Sequence, residues 1–328
     1  MNSAIIIYFL ISFVILFLSA KISYKFKLLD KPDKRKIHTK ATAYSGGIAI
    51  STILISSILL FDISDNTLNL ILSIAFLVSM VGLLDDTFNL NVGGKLSLQI
   101  FPIIYLVITH NLNLNQIGDY DYFKIELGAF AMPFTLLCVL FLINSFNYFD
   151  GMDGVLCFSS ISTLLILFFL FQDKNFNFFL ILILIPLVIF LCFNFSLFNL
   201  PKMFLGDSGS LLLGFIISFI LIYLAKNSSI HPILLAWSVV IFVYEFLSVN
   251  IIRLRMRHNL FSAGQDHLHN IFFMKYKSLF LTNSFIFFLN IFLYLMGYFS
   301  FNLINPLASL ILFISLFFIY LFLRNKFS

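Results

Sequence analysis

The chain has 328 residues, of which 61% are hydrophobic and only 11% charged, with 45 Phe and a formal net charge of +5. A mean hydropathy of +1.03 excludes the soluble globular classes. The basic residues flank apolar runs, which speaks against a nucleic-acid partner and fits anionic lipid headgroups.

In chain order, apolar runs of membrane-crossing or near-crossing length lie at about 2–20, 44–61, 68–84, 96–110, 127–146, 155–171, 176–197, 208–225, 230–252, 280–298 and 302–323. The expected fold is all-α: a polytopic integral membrane protein of about 11 transmembrane helices. The fourth run is short and contains Pro102, while Pro133 and Pro186 sit inside other runs, where membrane helices tolerate them. The first run has no basic residue before it, so it reads as a retained helix, not a cleaved signal. Cys138, Cys157 and Cys192 lie in or beside apolar runs and read as small buried residues, neither a disulfide framework nor a thiolate metal site.

With the N-terminus outside, seventeen of the 20 Lys and Arg fall in inside loops or at the C-terminus, leaving only Lys124, Lys174 and Lys226 outside. The positive-inside rule therefore predicts an external N-terminus and a cytoplasmic C-terminus. Five polar segments then share the cytoplasmic face, at 21–47, 85–99, 144–155, 198–210 and 253–279, and they are expected to build one active site in a single domain over 1–328.

The first segment, LLDKPDKRKIHTKATAYSGG, joins a basic run suited to phosphate or headgroups to Gly46-Gly47, which permits close backbone approach. In the second, DDTFNLNVGGKLSLQ, Asp85 and Asp86 offer oxygens to a hard cation or accept a proton, and Lys95 and Gln99 lie one helical turn apart. The third, NSFNYFDGMDGV, repeats Asn144, Asn147, Asp150 and Asp153 every third residue, which would line up oxygen ligands along one side of a helix. The fourth, LPKMFLGDSGSLLLGF, brackets Asp207 and Ser208 with glycines where a span begins, so helix N–H groups could face an anion and Asp207 could bind metal or cap the helix; Phe204 could stack on a base. The fifth, RLRMRHNLFSAGQDHLHN, carries Arg253, Arg255 and Arg257, which could meet phosphates or serve as an ordinary inside flank. Its His267 and His269 point the same way only in an extended segment. Glu245 is the one ionisable group well inside a span, and an ion partner is expected for it.

Oxygen ligands, a glycine-rich helix entry and inside basic residues suggest Mg²⁺-dependent work on phosphates at a membrane, with a lipid phosphate as one substrate. From DKPDKRKIH through GLLDD, NSFNYFDGMDG and FLGDSGS to DHLH, nearly the whole chain resembles the polyprenyl-phosphate N-acetylhexosamine-1-phosphate transferases, the WecA/MraY group. The eleven runs and the HLH pattern look more like the N-acetylglucosaminyl-phosphate branch than the muramoyl-pentapeptide branch.

The resemblance implies transfer of N-acetylhexosamine-1-phosphate, most readily the N-acetylglucosamine form, from a UDP-sugar to undecaprenyl phosphate. UMP is released and a lipid-linked envelope glycan begun at the cytoplasmic face of a bacterial inner membrane. It implies Mg²⁺, with Mn²⁺ as a substitute, held by Asp207 and Asn147. Asp85 would act on the lipid phosphate with Asp86 beside it, and His267 and His269 would contact phosphate or sugar. Asp150 and Asp153 would shape the nucleotide pocket and Phe204 would stack near uracil, with Asp30, His38, Lys95, Asn144 and Arg253 as further substrate-binding residues. The implied partners are the UDP-N-acetylhexosamine, undecaprenyl phosphate and membrane lipids; a homodimer is left open and no nucleic acid is expected.

The chain departs from the family pattern at Ala41 and Ala43, which flank Thr42 where prolines are frequent, at Asn89, and at Gly264 and Asn270 in the segment expected to select the sugar. The competing readings are a muramoyl-pentapeptide transferase, a proton-coupled transporter and a CDP-alcohol phosphotransferase. A transporter favours mid-bilayer charges and repeated halves, and the CDP-alcohol family needs its acids in one compact motif.

Overall fold

The computed structural model describes residues 2–30, 40–61, 65–257, 264 and 266–327. His38 therefore lies outside the described residues. Among the described residues thirteen α-helices are formed: α1 (Asn2–Phe26), α2 (Gly46–Leu60), α3 (Asn66–Phe88), α4 (Val92–Thr109), α5 (Ala131–Phe149), α6 (Val155–Leu170), α7 (Lys174–Asn194), α8 (Gly206–Asn227), α9 (Pro232–Ser238), α10 (Val240–Arg255), α11 (Leu268–Tyr276), α12 (Leu279–Leu303) and α13 (Pro306–Phe327). Two short antiparallel strand pairs complete the list: β1 (Leu29–Asp30) with β2 (Thr42–Ala43), and β3 (Gln116–Asp119) with β4 (Lys124–Glu126).

Among the described residues eight helical segments are long and apolar enough to cross a membrane, and α9 with α10 adds a ninth candidate, bent by 73°. Two further apolar helices are shorter, α2 with 15 residues and α6 with 16. Each of the eleven apolar runs thus falls on a helix or on the bent pair, and the chain is a mainly helical, multi-pass membrane protein.

The run at 230–252 reads as one span, yet it is broken at Val239 (φ −114°, ψ 20°). A break inside hydrocarbon frees backbone groups that must find partners. The Ser238 carbonyl accepts from Thr163 Oγ1 at 3.0 Å and Asn290 Nδ2 at 3.2 Å, and Asn290 Oδ1 accepts from Ile241 N–H at 3.5 Å. Polar side chains of α6 and α12 stabilise the bend.

The helices group into two compact units, one of residues 1–102 and 172–216, the other of 103–171 and 217–328. In the first unit, α2 lies against α1, α3 and α7 around buried Leu16, Ile50, Ile53, Leu72, Ala75, Leu187 and Phe190. Its helix entries meet backbone to backbone. A Cβ added at Gly47 would run into Gly209, and one at Gly82 into Ser208, the close approach that small residues permit between membrane helices. The segment before α8 adds strand-like bonds: Phe204 N–H donates to the Ala43 carbonyl at 2.7 Å, Gly46 N–H to Phe204 at 3.0 Å and Gly47 N–H to Leu205 at 2.8 Å. The first N–H groups of α2, which lack intrahelical partners, are satisfied this way.

The second unit is organised by α12, which contacts α6, α9, α10, α11 and α13. Its core is aromatic. Trp237 sits against Gly297, donates to Ser309 Oγ at 2.9 Å and packs edge-on to Phe313; Phe146 stacks on Phe242 with centroids 3.8 Å apart. At the α9 start, His231 Nδ1 accepts from Ile233 N–H at 3.2 Å and Nε2 bonds the Asp119 carbonyl at 2.9 Å, docking the β3–β4 hairpin.

Candidate active site

In the first unit the acids of the second and fourth segments converge. The α3 helix ends at Phe88, with Asn89 in the left-handed conformation as its C-cap (φ 50°), a position that suits Asn. Asp85, one turn earlier, accepts from Leu90 N–H at 2.9 Å and from Lys95 Nζ at 2.7 Å. The same Lys95 ammonium bonds Asp207 Oδ2. One cation from the start of α4 thus joins two carboxylates from separate helices.

Asp86 does something different. Its Oδ1 accepts from Asp207 N–H at 3.1 Å and its Oδ2 from Ser208 N–H at 3.3 Å. The helix N-terminus expected to face an anion does face one, and the anion is Asp86. Asp207 was expected either to bind metal or to cap α8; the capping falls to Asp86 from α3, which leaves the Asp207 carboxylate to Lys95. Gly206 adopts φ +72°, and a Cβ there would press on Asp86 Oδ2, so glycine is required to admit the carboxylate. Phe204 is half-buried with the Lys202 ammonium 5.4 Å from its ring centre, and Asp30 is paired with Thr42 in β1–β2.

Among the described residues no group of three or more His, Cys, Asp or Glu is arranged to hold a metal. The donor set around Lys95 nevertheless suits a hard cation, since two carboxylates already meet on one positive charge. Mg²⁺ is ordinarily held by one or two carboxylates together with substrate phosphates, so these residues fit it.

In the second unit, the third segment is not one helix. Asn144 and Asn147 lie on α5, but Asp150 is its C-cap (φ −84°, ψ 44°) and Asp153 sits in the following turn. The helix leaves the helical conformation at Asp150, and a turn leads to Gly154, which takes φ +81° as the N-cap of α6. The expected single row of four ligands is therefore divided between helix and turn. Asn144 Nδ2 bonds the Leu140 carbonyl at 2.7 Å, Asp150 N–H the Asn147 carbonyl at 3.2 Å, and Asn283 Nδ2 the Asp153 carbonyl at 2.9 Å.

The two histidines come together as an extended residue followed by helix. His267 is extended (φ −84°, ψ 152°) at the N-cap of α11, and its ring stacks on that of His269, with centroids 5.5 Å apart and planes at 6°. Tyr148 packs edge-on to His267 at 5.1 Å, and the His269 ring presses on Gly151, where a Cβ would not fit. His269 is fully buried and His267 is 8% exposed. Burial pushes His269 down to about 3. It lowers His267 as well, against the pull of Glu245 and Asp266. Both rings are neutral at neutral pH.

Around them stands an ionic frame. Arg253 donates from Nε to Asp266 Oδ2 at 2.8 Å and from Nη2 to Oδ1 at 2.7 Å, with Tyr148 5.6 Å from its guanidinium. Burial would raise the Asp266 carboxyl, but the hydrogen bonds from Arg253 and its positive charge bring it down to about 2. Glu245 has the ion partner expected of it, in Arg324 of α13. Arg324 reads in sequence as an ordinary inside flank, and it was missed together with Tyr320 and Asn283. The available signal was the buried Glu245, which requires a cation.

The family description "Glycosyl transferase family 4" matches residues 67–225. An undecaprenyl-phosphate alpha-N-acetylglucosaminyl 1-phosphate transferase of Yersinia pestis is 30% identical over 281 residues, covering 83% of this chain and 76% of that protein. The Escherichia coli K12 protein of the same name is 29% identical over 273 residues, 80% and 74% of the two chains. A probable undecaprenyl-phosphate N-acetylglucosaminyl 1-phosphate transferase of Bacillus subtilis is 27% identical over 260 residues, 76% and 71%. With that identity sustained across most of both chains, and the acids of GLLDD and FLGDSGS joined through Lys95, the chain belongs to glycosyl transferase family 4.

Proposed function

We propose that the protein transfers N-acetylglucosamine-1-phosphate from UDP-N-acetylglucosamine to undecaprenyl phosphate and releases UMP. The observation that carries this is the similarity, across most of the chain, to relatives named for that transfer, both in enterobacteria and in Bacillus subtilis. It favours this reaction over a muramoyl-pentapeptide transferase and over a transporter.

In the reaction an oxygen of the lipid phosphate bonds to the sugar-linked phosphorus, and the bond from that phosphorus to the bridging oxygen breaks, so that UMP leaves with the electron pair. A phosphate monoester has its second pKa near ~6 and is mostly dianionic at neutral pH, so no strong base is required. Asp85, paired with Lys95 and free of the capping duty of Asp86, is the residue we assign to orienting the lipid phosphate. Lys95 supplies positive charge to phosphate oxygens, which is the main service a protein renders in phosphoryl transfer.

Asp207 is the ligand we propose for Mg²⁺, with Mn²⁺ as a substitute; the side-chain oxygen of Asn147 is proposed as a metal ligand on its sequence pattern alone. When bound, the ion neutralises charge developing on the diphosphate. His267 and His269, held neutral, offer hydrogen bonds to phosphate or sugar. Asp150 and Asp153 are proposed for the nucleotide, Phe204 for uracil, and Asp30, His38, Asn144 and Arg253 for further substrate contact. The reaction is proposed to take place at the cytoplasmic face of a bacterial inner membrane.

Purified protein given Mg²⁺, undecaprenyl phosphate and UDP-N-acetylglucosamine is expected to release UMP and form a lipid-linked sugar diphosphate. A panel of UDP-N-acetylhexosamines checks the sugar. Release from a different sugar would correct the donor, and no release from any of them would sink the reading.

A further inference from the structure

The histidine rings are not fixed by hydrogen bonds of their own. Among the described residues His267 Nδ1 and both nitrogens of His269 have no hydrogen-bond partner, although all three atoms are buried. What is fixed is the backbone on either side of His267. The carbonyl of Asp266, which precedes it, accepts from Arg324 Nη2. The N–H of Leu268, which follows it, donates to Glu245 Oε1 at 2.7 Å.

Those two partners hold each other. Arg324 donates from Nη2 to Glu245 Oε1 at 2.9 Å and from Nε to Oε2 at 3.0 Å, and Tyr320 Oη adds a bond to Oε2 at 2.6 Å. Glu245 is fully buried and Arg324 is 3% exposed. A buried pair of this kind gives back in attraction about what it loses in desolvation, and an apolar pair of similar volume is often as stable. Stability alone therefore gives no reason to keep it. Orientation does, because the pair joins α10 and the last turns of α13 to the two peptide groups that flank His267.

We infer that Glu245 and Arg324 are positioning residues, which set the direction of the His267 and His269 rings toward the phosphate or sugar of the substrate by clamping the backbone of 266–268. The inference rests on the reading of the chain as a phosphoglycosyl transferase. It assigns a role in the reaction to the C-terminal turns of α13, which lie outside the matched residues 67–225.

The deciding variant is the double replacement Glu245→Leu with Arg324→Met, which removes both charges together and leaves neither unpaired. A positioning role predicts a folded protein with a thermal midpoint close to wild type and kcat reduced by up to about 100-fold, the scale of a displacement near 1 Å at a reacting centre, while KM for the UDP-sugar changes far less. Wild-type kcat in the folded double variant would overturn the inference. If the double variant does not accumulate, Arg324→Lys decides, since it keeps the charge and loses the fork. Reduced kcat at a wild-type thermal midpoint supports positioning, and unchanged kcat rejects it.

A second readout needs no turnover. Diethyl pyrocarbonate, scored by mass spectrometry, should modify His267 and His269 faster in either variant than in wild type, and equal rates reject the clamp. If the wild type releases no UMP from any donor, the functional reading fails on that result and this labelling alone judges the inference.

Discussion

Asp85 and Asp86 are adjacent and chemically identical, yet their surroundings give them different work. Asp86 accepts from the N–H groups of Asp207 and Ser208, which is a helix cap supplied in trans. A lost cap costs about 0.5–2 kcal/mol, so Asp86→Ala should lower the thermal midpoint and, by loosening the start of α8, reduce activity as well. Asp85 bonds Lys95 and one loop N–H at the helix end. Asp85→Asn is therefore expected to fold with a near wild-type midpoint and lose most UMP release. Thermal unfolding in detergent alongside a UMP assay separates the two, and equal destabilisation by both changes would refute the division of roles. A pair of acids in sequence shows only that carboxylates are wanted; which one caps depends on a helix N–H that lies 121 residues later.

Among the elements, the polar segments were legible as chemistry more than as shape. The repeat Asn144, Asn147, Asp150, Asp153 suggests a continuous helix because its spacing is near a helical turn. That helix ends at Phe149, with Asp150 as its C-cap, and a turn leads to the left-handed Gly154 before α6, a break that spacing does not show. The histidine pair fared better, since i,i+2 side chains do meet when the first residue is extended and the second has entered a helix. Arg324 was hidden because a lysine or arginine near the end of a span is the ordinary positive-inside signal. The neutral state of the pair has a consequence for pH. An unfolded His titrates near ~6.5, whereas burial holds His269 at about 3 and lowers His267 too. Between those values the unfolded chain binds more protons than the folded one, so stability rises with pH and is lost as pH falls below ~6.5. The slope for His269 is about 1.4 kcal/mol per pH unit at most. Denaturant unfolding in detergent from pH 7.5 to 5 should show this decline, and His269→Gln should flatten it. A His269→Gln profile with the same slope as wild type would contradict the burial of a neutral His269 ring.

For the whole molecule, hydropathy located every apolar helix, because a bilayer demands continuous apolar length and little else. It did not show where lengths fall short. By the helical rise of about 1.5 Å per residue, the 15 residues of α2 and 16 of α6 reach roughly 22–24 Å, less than a hydrocarbon core of about 30 Å. α2 opens with the buried Gly46-Gly47, and α6 follows the N-cap Gly154 with Val155, Leu156 and Cys157 buried. In α2 the entry is closed by the carbonyls of Phe204 and Leu205, and in α6 Thr163 bonds the Ser238 carbonyl of the broken α9–α10 pair. Short helices covered by protein need not match the bilayer thickness, since unsatisfied backbone near the interface finds partners there. We therefore propose that both cross, that the bent pair counts as one crossing, and that the total is the odd number eleven. An odd count puts the two ends of the chain on opposite sides, and the charge asymmetry says which: Arg324 and Lys326 lie at the C-terminal end, and Lys124, Lys174 and Lys226 are the external exceptions. Single cysteines placed at Lys124 and Lys226, in a background without Cys138, Cys157 and Cys192, should react with a membrane-impermeant maleimide in intact cells. Cysteines at Arg255 and Lys275 should react only after the membrane is opened. Labelling of position 255 or 275 from outside would reverse the orientation, and termini found on the same side would reduce the count to an even one.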